Sequence, residues 1–509
     1  MSTASRVIRN TGILYVKVGI SAICAILSTR FILQSLGIDD FGIYNIVGSI
    51  IVMLSFLNES MTTATQRFIS FSEGQGQIDK SITVFNISVL LHFLIGILIA
   101  IVLFLLGYIV FNGILKIPPD RVFAARYVYY FMIFSAFLSM ITVPYNAVLI
   151  AHENMLYYSI IGSIVSILKL IVAIVLLYIS GDKLILYGLL IACVSLVELT
   201  IPRIYCKQKY RECRINVREY YNKDLFKEMT AFAKWQLLYS SSSILSIQGT
   251  SLLLNSFFGV IVNAAQGVAR QLSGQLMIFS NTLLNALNPV IVKSAGAGNH
   301  SQMINSTMLG SKLAFLLVLV FSVPVLIEMP FLLNIWLKEV PDYAVGFCRF
   351  EIIQQLMASL TVTLVTSISA KGDIKSFQIF SAITYFGRLP VIYIFLKLGF
   401  NPISVYYVST IAVFILCVGR VYFASHKSGL DINSFLQKVI YPSGGLAALM
   451  VLSALPIHYL FSVSLFRLFL VIAVSSVVML IGLRVFALTQ FERQIIEDVI
   501  KDLKGHGSR

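Results

Sequence analysis

Two stripes of polar residues run along the hydrophobic segment 229–299. The first stripe repeats every seven residues and comprises Lys234, Ser241, Gln248 and Asn255. The second repeats every three or four residues and comprises Asn263, Gln266, Arg270 and Ser273. This spacing puts each stripe on one side of a helix, so the segment predicts two helices joined by a four-residue turn, with the polar sides facing a cavity inside a membrane protein. Such stripes can also join membrane helices to one another, but Lys234 and Arg270 suit that role poorly.

Charged residues inside other apolar stretches extend the candidate site. The cations are Lys17, Arg30, Lys169 and Arg388, and the carboxylates of interest are Glu59 and Glu351. A charge at the bilayer centre costs about 2.5–3.5 kcal/mol on insertion scales, so these residues predict a function. We expect a cationic lining for an anionic cargo, with Glu59 or Glu351 coupling an ion or pairing with the cations. Alternatively, Lys169 and Arg388 each pair with a carboxylate such as Glu198, Glu328 or Glu351.

The composition excludes a water-soluble enzyme. Of the 509 residues, 58% are hydrophobic and only 12% are charged. A membrane span needs roughly 20 apolar residues, and the chain has about fourteen such stretches. They lie near 11–35, 41–63, 82–111, 122–150, 156–179, 184–205, 230–256, 260–288, 306–336, 345–369, 376–398, 402–424, 439–460 and 465–488. The chain is therefore predicted to be an all-α polytopic membrane protein, with a kinked or broken helix where Pro324 and Pro330 flank Glu328.

The distribution of basic residues predicts the orientation. Lys and Arg concentrate in alternate loops and at both ends, so we expect both termini to be cytoplasmic. The formal charge of +15 then reflects topology and contact with anionic lipid, and we expect no nucleic-acid partner. The six cysteines have no metal or redox spacing, and no catalytic constellation, nucleotide site or metal site is present. We expect a protein that is not an enzyme and has no cofactor.

The chain matches itself after six predicted spans. Segment 72–76 aligns with 294–298 at an offset of 222 (294 − 72), and segment 151–170 aligns with 370–389 at an offset of 219 (370 − 151), which pairs Lys169 with Arg388. An even number of spans gives both copies the same orientation, so two lobes related by a pseudo-two-fold axis along the membrane normal are predicted. The predicted divisions are an N-terminal lobe (1–228), a C-terminal lobe (229–433), an additional helix pair (434–489) and a cytoplasmic tail (490–509).

This plan, with the sequences ThrAlaThrGlnArgPhe at 63–68 and AlaLeuAsnProValIleValLysSer at 286–294, resembles the multidrug/oligosaccharidyl-lipid/polysaccharide (MOP) exporter superfamily. The likeness is greatest to its Wzx-type polysaccharide flippases. The resemblance implies that a monomer translocates undecaprenyl-diphosphate-linked oligosaccharide repeat units across the bacterial inner membrane by alternating access, for O-antigen or capsule-type synthesis. It also implies coupling to an Na⁺ or H⁺ gradient or to the membrane potential, and partners such as a glycan polymerase and other assembly proteins.

Residue chemistry agrees with this cargo, because a diphosphate needs Arg or Lys donors and a sugar needs amides and hydroxyls. The candidate head-group residues are Arg270, Lys234, Lys17, Lys169, Arg388 and Arg30. The candidate sugar-lining residues are Asn263, Gln266, Gln248, Asn255 and Ser241. The alternatives are a drug/cation antiporter of the MATE type, which usually has carboxylates in its cavity, and a lipid II flippase. A membrane glycan polymerase or ligase would generally need a large outer loop, which this chain does not have.

Overall fold

The computed structural model describes residues 3–52, 55–109, 111, 117–337 and 340–487. These residues form helices and short connections, without a strand among them. The helices, in chain order, are α1 (Thr3–Val52), α2 (Ser55–Gly74), α3 (Ile78–Ile109), α4 (Val122–Ala151), α5 (Met155–Tyr178), α6 (Lys183–Lys209), α7 (Lys223–Gly296), α8 (His300–Ile327), α9 (Met329–Trp336), α10 (Ala344–Ser359), α11 (Val362–Ala370), α12 (Lys375–Lys397), α13 (Ser404–Ser428), α14 (Ile432–Phe435), α15 (Tyr441–Leu460) and α16 (Leu465–Gly482). Short 3-10 and π-helical turns lie at Arg211–Cys213, Leu436–Ile440 and Leu483–Ala487.

Within these described ranges, twelve helical segments are long and apolar enough to cross a membrane. The predicted all-α polytopic class is therefore confirmed, and the chain is a multi-pass membrane protein. Two predicted spans are not among the twelve. Segment 230–256 is helical within α7, and segment 41–63 is helical where it is described but includes residues 53 and 54, which lie outside the described residues. The predicted tail, 490–509, also lies outside them.

Side chains and prolines set many of the helix ends. Asn154, Asp182 and Asn299 begin α5, α6 and α8 by accepting hydrogen bonds from backbone N–H groups of the first turn. The predicted break near Glu328 is confirmed, since α8 ends at Ile327 and α9 begins at Met329 with Pro330 in its first turn.

The chain forms two compact units, and their boundary lies inside α7. The N-terminal unit is Arg9–Ser240, and the C-terminal unit is Ser241–Arg509 with Met1–Ile8. One core of the N-terminal unit packs side chains of α1, α3 and α4 around the fully buried Tyr129. A core of the C-terminal unit joins α7, α10, α12 and α13. A second core there packs α8 against α15 and α16.

The two units repeat the same unusual backbone conformations. Gly37 interrupts α1 and Gly259 interrupts α7, each with φ 76°, at the offset of 222 (259 − 37). Gly76 (φ 68°) and Gly298 (φ 70°) also lie 222 apart (298 − 76). Positive φ is a conformation that mainly glycine adopts. The internal repeat predicted from polar residues is therefore present in the backbone.

The second offset recurs as well. Glu153 (φ 55°) follows α4, and Gly372 (φ 86°) follows α11, which gives 219 (372 − 153). The two offsets therefore belong to one repeat. Its N-terminal copy is three residues longer between Gly76 and Glu153 than its C-terminal copy is between Gly298 and Gly372.

Candidate functional site

The second polar stripe of α7 contacts the first half of the helix at Ser251 and Ile247, which do not belong to the first stripe. Helical residues flank Gly259 directly, so the predicted four-residue turn is wrong and one non-helical glycine replaces it. Ser251 Oγ donates a hydrogen bond to Asn263 Oδ1 at 2.8 Å, and Arg270 Nη2 donates to the Ile247 carbonyl at 2.6 Å. Partners that are 12 and 23 residues apart on either side of Gly259 show that the two halves of α7 fold back on each other.

A carboxylate shared by two arginines lies beside this hairpin. Glu351 of α10 interacts electrostatically with Arg270 of α7 and with Arg388 of α12, and the Ser273 side chain hydrogen-bonds to it. The two guanidinium groups are also close enough to repel each other. With all three groups ionised, one negative charge balances only one of two positive charges.

Uncharged polar groups complete what we call the C-terminal charged cluster: Arg270, Glu351 and Arg388 with Gln266, Ser273 and Tyr406. The buried Tyr406 hydroxyl lies beside Gln266 and faces Glu351 and Arg270. The Tyr406 hydroxyl interacts with the Gln266 side chain, whereas Arg388 Nε is a buried atom without a hydrogen-bond partner among the described residues. A buried polar atom without a partner costs about 1–3 kcal/mol, so Arg388 Nε is a donor that a polar ligand could satisfy.

In the N-terminal unit, the Lys17 side chain packs against an aromatic ring and a glycine. The Lys17 ammonium of α1 lies 4.0 Å from the centre of the Tyr158 ring on α5. The Lys17 side chain crosses α5 at Gly162, where an added Cβ would lie 2.2 Å from Lys17 Cε. Next to this crossing, Ser21 and Ser166 hydroxyls hydrogen-bond at 2.9 Å. The absence of a side chain at position 162 therefore lets lysine pack against the helix.

Of the six predicted head-group cations, the structure brings Arg270 and Arg388 together. Lys17, Lys169, Lys234 and Arg30 belong to the N-terminal unit, where the last three are exposed. Lys234 lies 5.4 Å from the ring of its neighbour Trp235. In the predicted sugar lining, Gln266 is buried, Asn263 and Ser241 are half-buried, and Gln248 and Asn255 are exposed. The Glu59 side chain lies outside the described residues.

Sequence analysis left open whether Arg388 pairs with a carboxylate. In the structure Arg388 interacts with Glu351. Glu328 pairs elsewhere. Its fully buried carboxylate accepts hydrogen bonds from Arg467 Nη2 of α16 at 2.6 Å and from His458 Nδ1 of α15 at 2.9 Å. This buried ionic network fixes the additional helix pair to the break between α8 and α9.

Sequence patterns missed two parts of this arrangement. Tyr406 is one aromatic residue in an apolar helix, a position that gives no sign of a site. The Glu328 network could have been suspected, because Arg467 is a cation at the start of an otherwise apolar span. The described residues hold no group of three or more His, Cys, Asp or Glu side chains that could bind a metal ion.

Comparison with solved structures identifies the fold. The chain is similar to a MATE protein in the straight conformation, with a TM-score of 0.73 at 12% identity. It is also similar to an outward-facing multidrug resistance MATE family transporter of the MOP superfamily, with a TM-score of 0.72 at 13% identity. A third similar structure is a MOP superfamily transporter from Pyrococcus furiosus, described by a binding pocket of reverse polarity, with a TM-score of 0.70 at 12% identity. Each alignment covers 84% of this chain and 97% of the other.

This protein therefore has the fold of MATE transporters of the MOP superfamily, as the sequence resemblance implied at the level of the superfamily. No protein-family model matches the sequence, and no curated protein matches it. At these identities the likeness concerns the fold, and the cargo has to be argued from the site.

Proposed function

We propose that this protein is a flippase that moves undecaprenyl-diphosphate-linked oligosaccharide repeat units across the bacterial cytoplasmic membrane by alternating access. The observation that carries this proposal is the pair of arginines, Arg270 and Arg388, that share the single carboxylate of Glu351. The fold supports a membrane transporter, and the excess positive charge supports an anionic cargo. The sequence resemblance to Wzx-type flippases supports a glycan-linked lipid and a role in the synthesis of surface polysaccharide.

A diphosphate suits the chemistry of this cluster. Guanidinium groups bind phosphate oxygens through paired, charge-assisted hydrogen bonds. Glu351 balances part of the positive charge when no cargo is bound, and a diphosphate brings enough negative charge to replace it. Tyr406 Oη and Arg388 Nε can donate to phosphate, while Gln266 Oε1 can accept from a sugar hydroxyl. In a transporter of cations, Arg388 Nε would keep no such acceptor.

Alternating access also needs an energy source and an orientation. We propose that Glu351 couples cargo binding to an Na⁺ or H⁺ gradient or to the membrane potential, because cargo and Glu351 compete for the same two arginines. We further propose that both termini are cytoplasmic and that a polymerase receives the cargo on the opposite side. Lys17 is the cation that we propose for the N-terminal unit, while Lys169, Lys234 and Arg30 stay weaker predictions because their side chains are exposed.

The test is transport by purified protein in proteoliposomes that contain the lipid-linked oligosaccharide. An added enzyme that cannot cross the membrane modifies only the glycan in the outer leaflet, so the rate of modification measures the rate of transport. We expect Arg270→Gln and Arg388→Gln each to lower the initial rate about 10²-fold, since a charged hydrogen bond removed from a buried site typically costs a few kcal/mol. The matched control is Arg203→Gln, which removes an exposed arginine of α6 and should keep the wild-type rate. Undiminished transport by both cluster variants would contradict the proposal.

Two other cargoes remain candidates for specific reasons. A MATE-type cation-coupled drug antiporter is favoured by the multidrug resistance transporter among the similar structures and by the membrane carboxylate of Glu351. A lipid II flippase would need the same diphosphate chemistry. Reconstituted protein that expels cationic dyes against a gradient, and does not move the oligosaccharide, would establish the antiporter. Faster transport of lipid II than of an oligosaccharide unit would establish the lipid II flippase.

A further inference from the structure

The link between α6 and α7 presents an unusual combination of exposed side chains. The exposed cations at the end of α6 and in the link are Lys207, Lys209, Arg211, Arg214 and Arg218. Among them lie two apolar side chains, Ile215 and Tyr221, which are 48% and 47% exposed. We call these seven residues the basic link surface. The link begins where the membrane-spanning segment Lys183–Lys209 ends, so we expect these residues at the level of lipid head groups.

A buried asparagine fixes this link to the N-terminal unit. Asn86 of α3 is fully buried, and its Nδ2 donates a hydrogen bond to the Arg214 carbonyl at 2.9 Å. Its Oδ1 accepts one from the Asn216 backbone N–H at 2.8 Å. The two bonds span 128 and 130 residues of sequence. The backbone on both sides of Ile215 is therefore held in one position, which a free linker between two domains would not be.

A second anchor holds the beginning of the link. Asn154 Nδ2 donates to the hydroxyl oxygens of Tyr205 and Tyr210, at 2.9 Å each. The His152 ring stacks on the Tyr210 ring with 4.2 Å between centroids. These contacts fix the end of α6 and the residues that follow it, so the cations at positions 207–211 project from a defined support.

The same anchor removes an acidic residue from the surface. His152 Nε2 hydrogen-bonds to Glu212, which is buried, and Nδ1 lies 3.1 Å from Glu73. Burial alone would lower the pKa of His152, but the hydrogen bonds with Glu212 and Glu73 outweigh it and raise the pKa to about 9. A protonated His152 therefore balances one of the two negative charges of Glu212 and Glu73. The exposed acid of the link, Glu219, accepts a hydrogen bond from Asn216 Nδ2 at 2.6 Å, and the cations outnumber it.

We propose that the basic link surface binds the anionic phospholipid head groups of the adjacent membrane leaflet. Arg and Lys donate to phosphate oxygens, while Ile215 and Tyr221 enter the boundary between head groups and acyl chains. A cation near an anionic membrane surface strengthens binding roughly fivefold. This binding is separate from cargo transport, because none of the seven residues belongs to the C-terminal charged cluster.

The test uses the full-length purified protein and counts bound lipid by native mass spectrometry, with dioleoyl phosphatidylglycerol and dioleoyl phosphatidylcholine as probes. We expect the wild type to bind phosphatidylglycerol preferentially. The triple variant Arg211→Gln, Arg214→Gln, Arg218→Gln should lose about 100-fold in affinity for it at low ionic strength. The control variant Lys371→Gln, Lys375→Gln, Lys438→Gln removes the same charge from exposed positions of the C-terminal unit. Lys371 and Lys375 also lie at the ends of membrane-spanning segments, so this variant measures the loss that total charge alone causes, and we expect that loss to be smaller than the loss in the first triple variant.

The variant Asn86→Ala tests whether lipid binding depends on the position of the link backbone or only on the number of cations. It keeps every cation of the basic link surface but releases the backbone beside Ile215, so we expect a loss of about fivefold, equivalent to one cation no longer placed at the membrane. An equal loss in both triple variants would overturn the proposal by showing that only total charge matters. Equal binding of the two lipids by the wild type would also overturn it, as would full competition by soluble pyrophosphate or by an acidic peptide, which would assign the surface to another ligand.

Discussion

The two units of this protein share backbone breaks but differ in the polar chemistry that the breaks support. Gly37 and Gly259 have the same φ, yet the C-terminal unit gathers Arg270, Arg388 and Glu351 into one cluster. In the N-terminal unit, the equivalent of Arg388 is Lys169 (388 − 219), and it is exposed. The repeat therefore preserves helix geometry, while the cluster of Arg270, Arg388 and Glu351 lies in the C-terminal copy.

The N-terminal unit has no acidic residue at the position that corresponds to Glu351. In the two registers of the repeat, Glu351 corresponds to Tyr129 (351 − 222) or to Met132 (351 − 219), and neither is acidic. Lys169 therefore has no counterpart of Glu351 at the corresponding position. Lys17 is stabilised instead by the face of the Tyr158 ring, which needs no acid. The two units thus provide different environments for a cation at membrane depth.

The largest effect on stability should come from the buried network of Glu328 and Arg467. Glu328→Ala leaves Arg467 buried without its carboxylate, which in buried pairs costs about 3–5 kcal/mol. We expect the thermal unfolding midpoint of the purified protein to fall accordingly. The paired change Glu328→Leu with Arg467→Leu removes both charges from the site and should restore most of the loss. A single variant as stable as the wild type would show that the network does not fix α15 and α16 to α8.

The next largest effect should be a dependence of stability on pH that arises from His152 in the N-terminal unit. His152 corresponds to Lys371 (371 − 219), and hydrogen bonds with Glu212 and Glu73 raise the pKa of His152 to about 9. A pKa raised in the folded state stabilises the fold fully below the unfolded pKa of about 6.5, and this contribution disappears as the pH rises through about 9. We expect at most about 3 kcal/mol between pH 6 and pH 10.

The measurement is hydrogen exchange of the link between α6 and α7 at several pH values, after correction for the intrinsic exchange rate. Protection should decrease above pH 8 in the wild type. His152→Gln should be less protected at pH 6 and should lack this decrease. If the His152→Gln variant showed the same pH profile, another group would have to be responsible.

Sequence analysis predicted the helical class and the repeat, and it selected Arg270 and Arg388 as candidate site residues, because these inferences depend on hydrophobic length and on periodicity along one helix. It could not predict which cations meet. Glu328 and Arg467 are 139 residues apart, and no local pattern connects them. Lys169 has the right depth but an exposed side chain, since the direction in which a helix faces depends on its neighbours.

The smallest expected effects test whether the two glycine breaks are equivalent. A Cβ added at Gly37 or at Gly259 would have no heavy atom within 4 Å, so alanine there costs only the unfavourable backbone conformation, about 1–3 kcal/mol. We expect equal losses in the thermal stability of Gly37→Ala and Gly259→Ala. Each unit provides a control: Gly19 and Gly267 lie in helical backbone with the same open space, where alanine should stabilise by about 0.5–1 kcal/mol.

Transport separates these two breaks further. Gly259 precedes the half of α7 that carries Asn263 and Arg270, whereas no member of the charged cluster follows Gly37 in α1. We therefore expect Gly259→Ala to slow transport more than Gly37→Ala does at equal stability, because a shift in the second half of α7 moves Arg270 relative to Glu351. If the two variants slowed transport equally, both breaks would contribute to the movement of their units. The position of Arg270 relative to Glu351 would then not limit the transport rate.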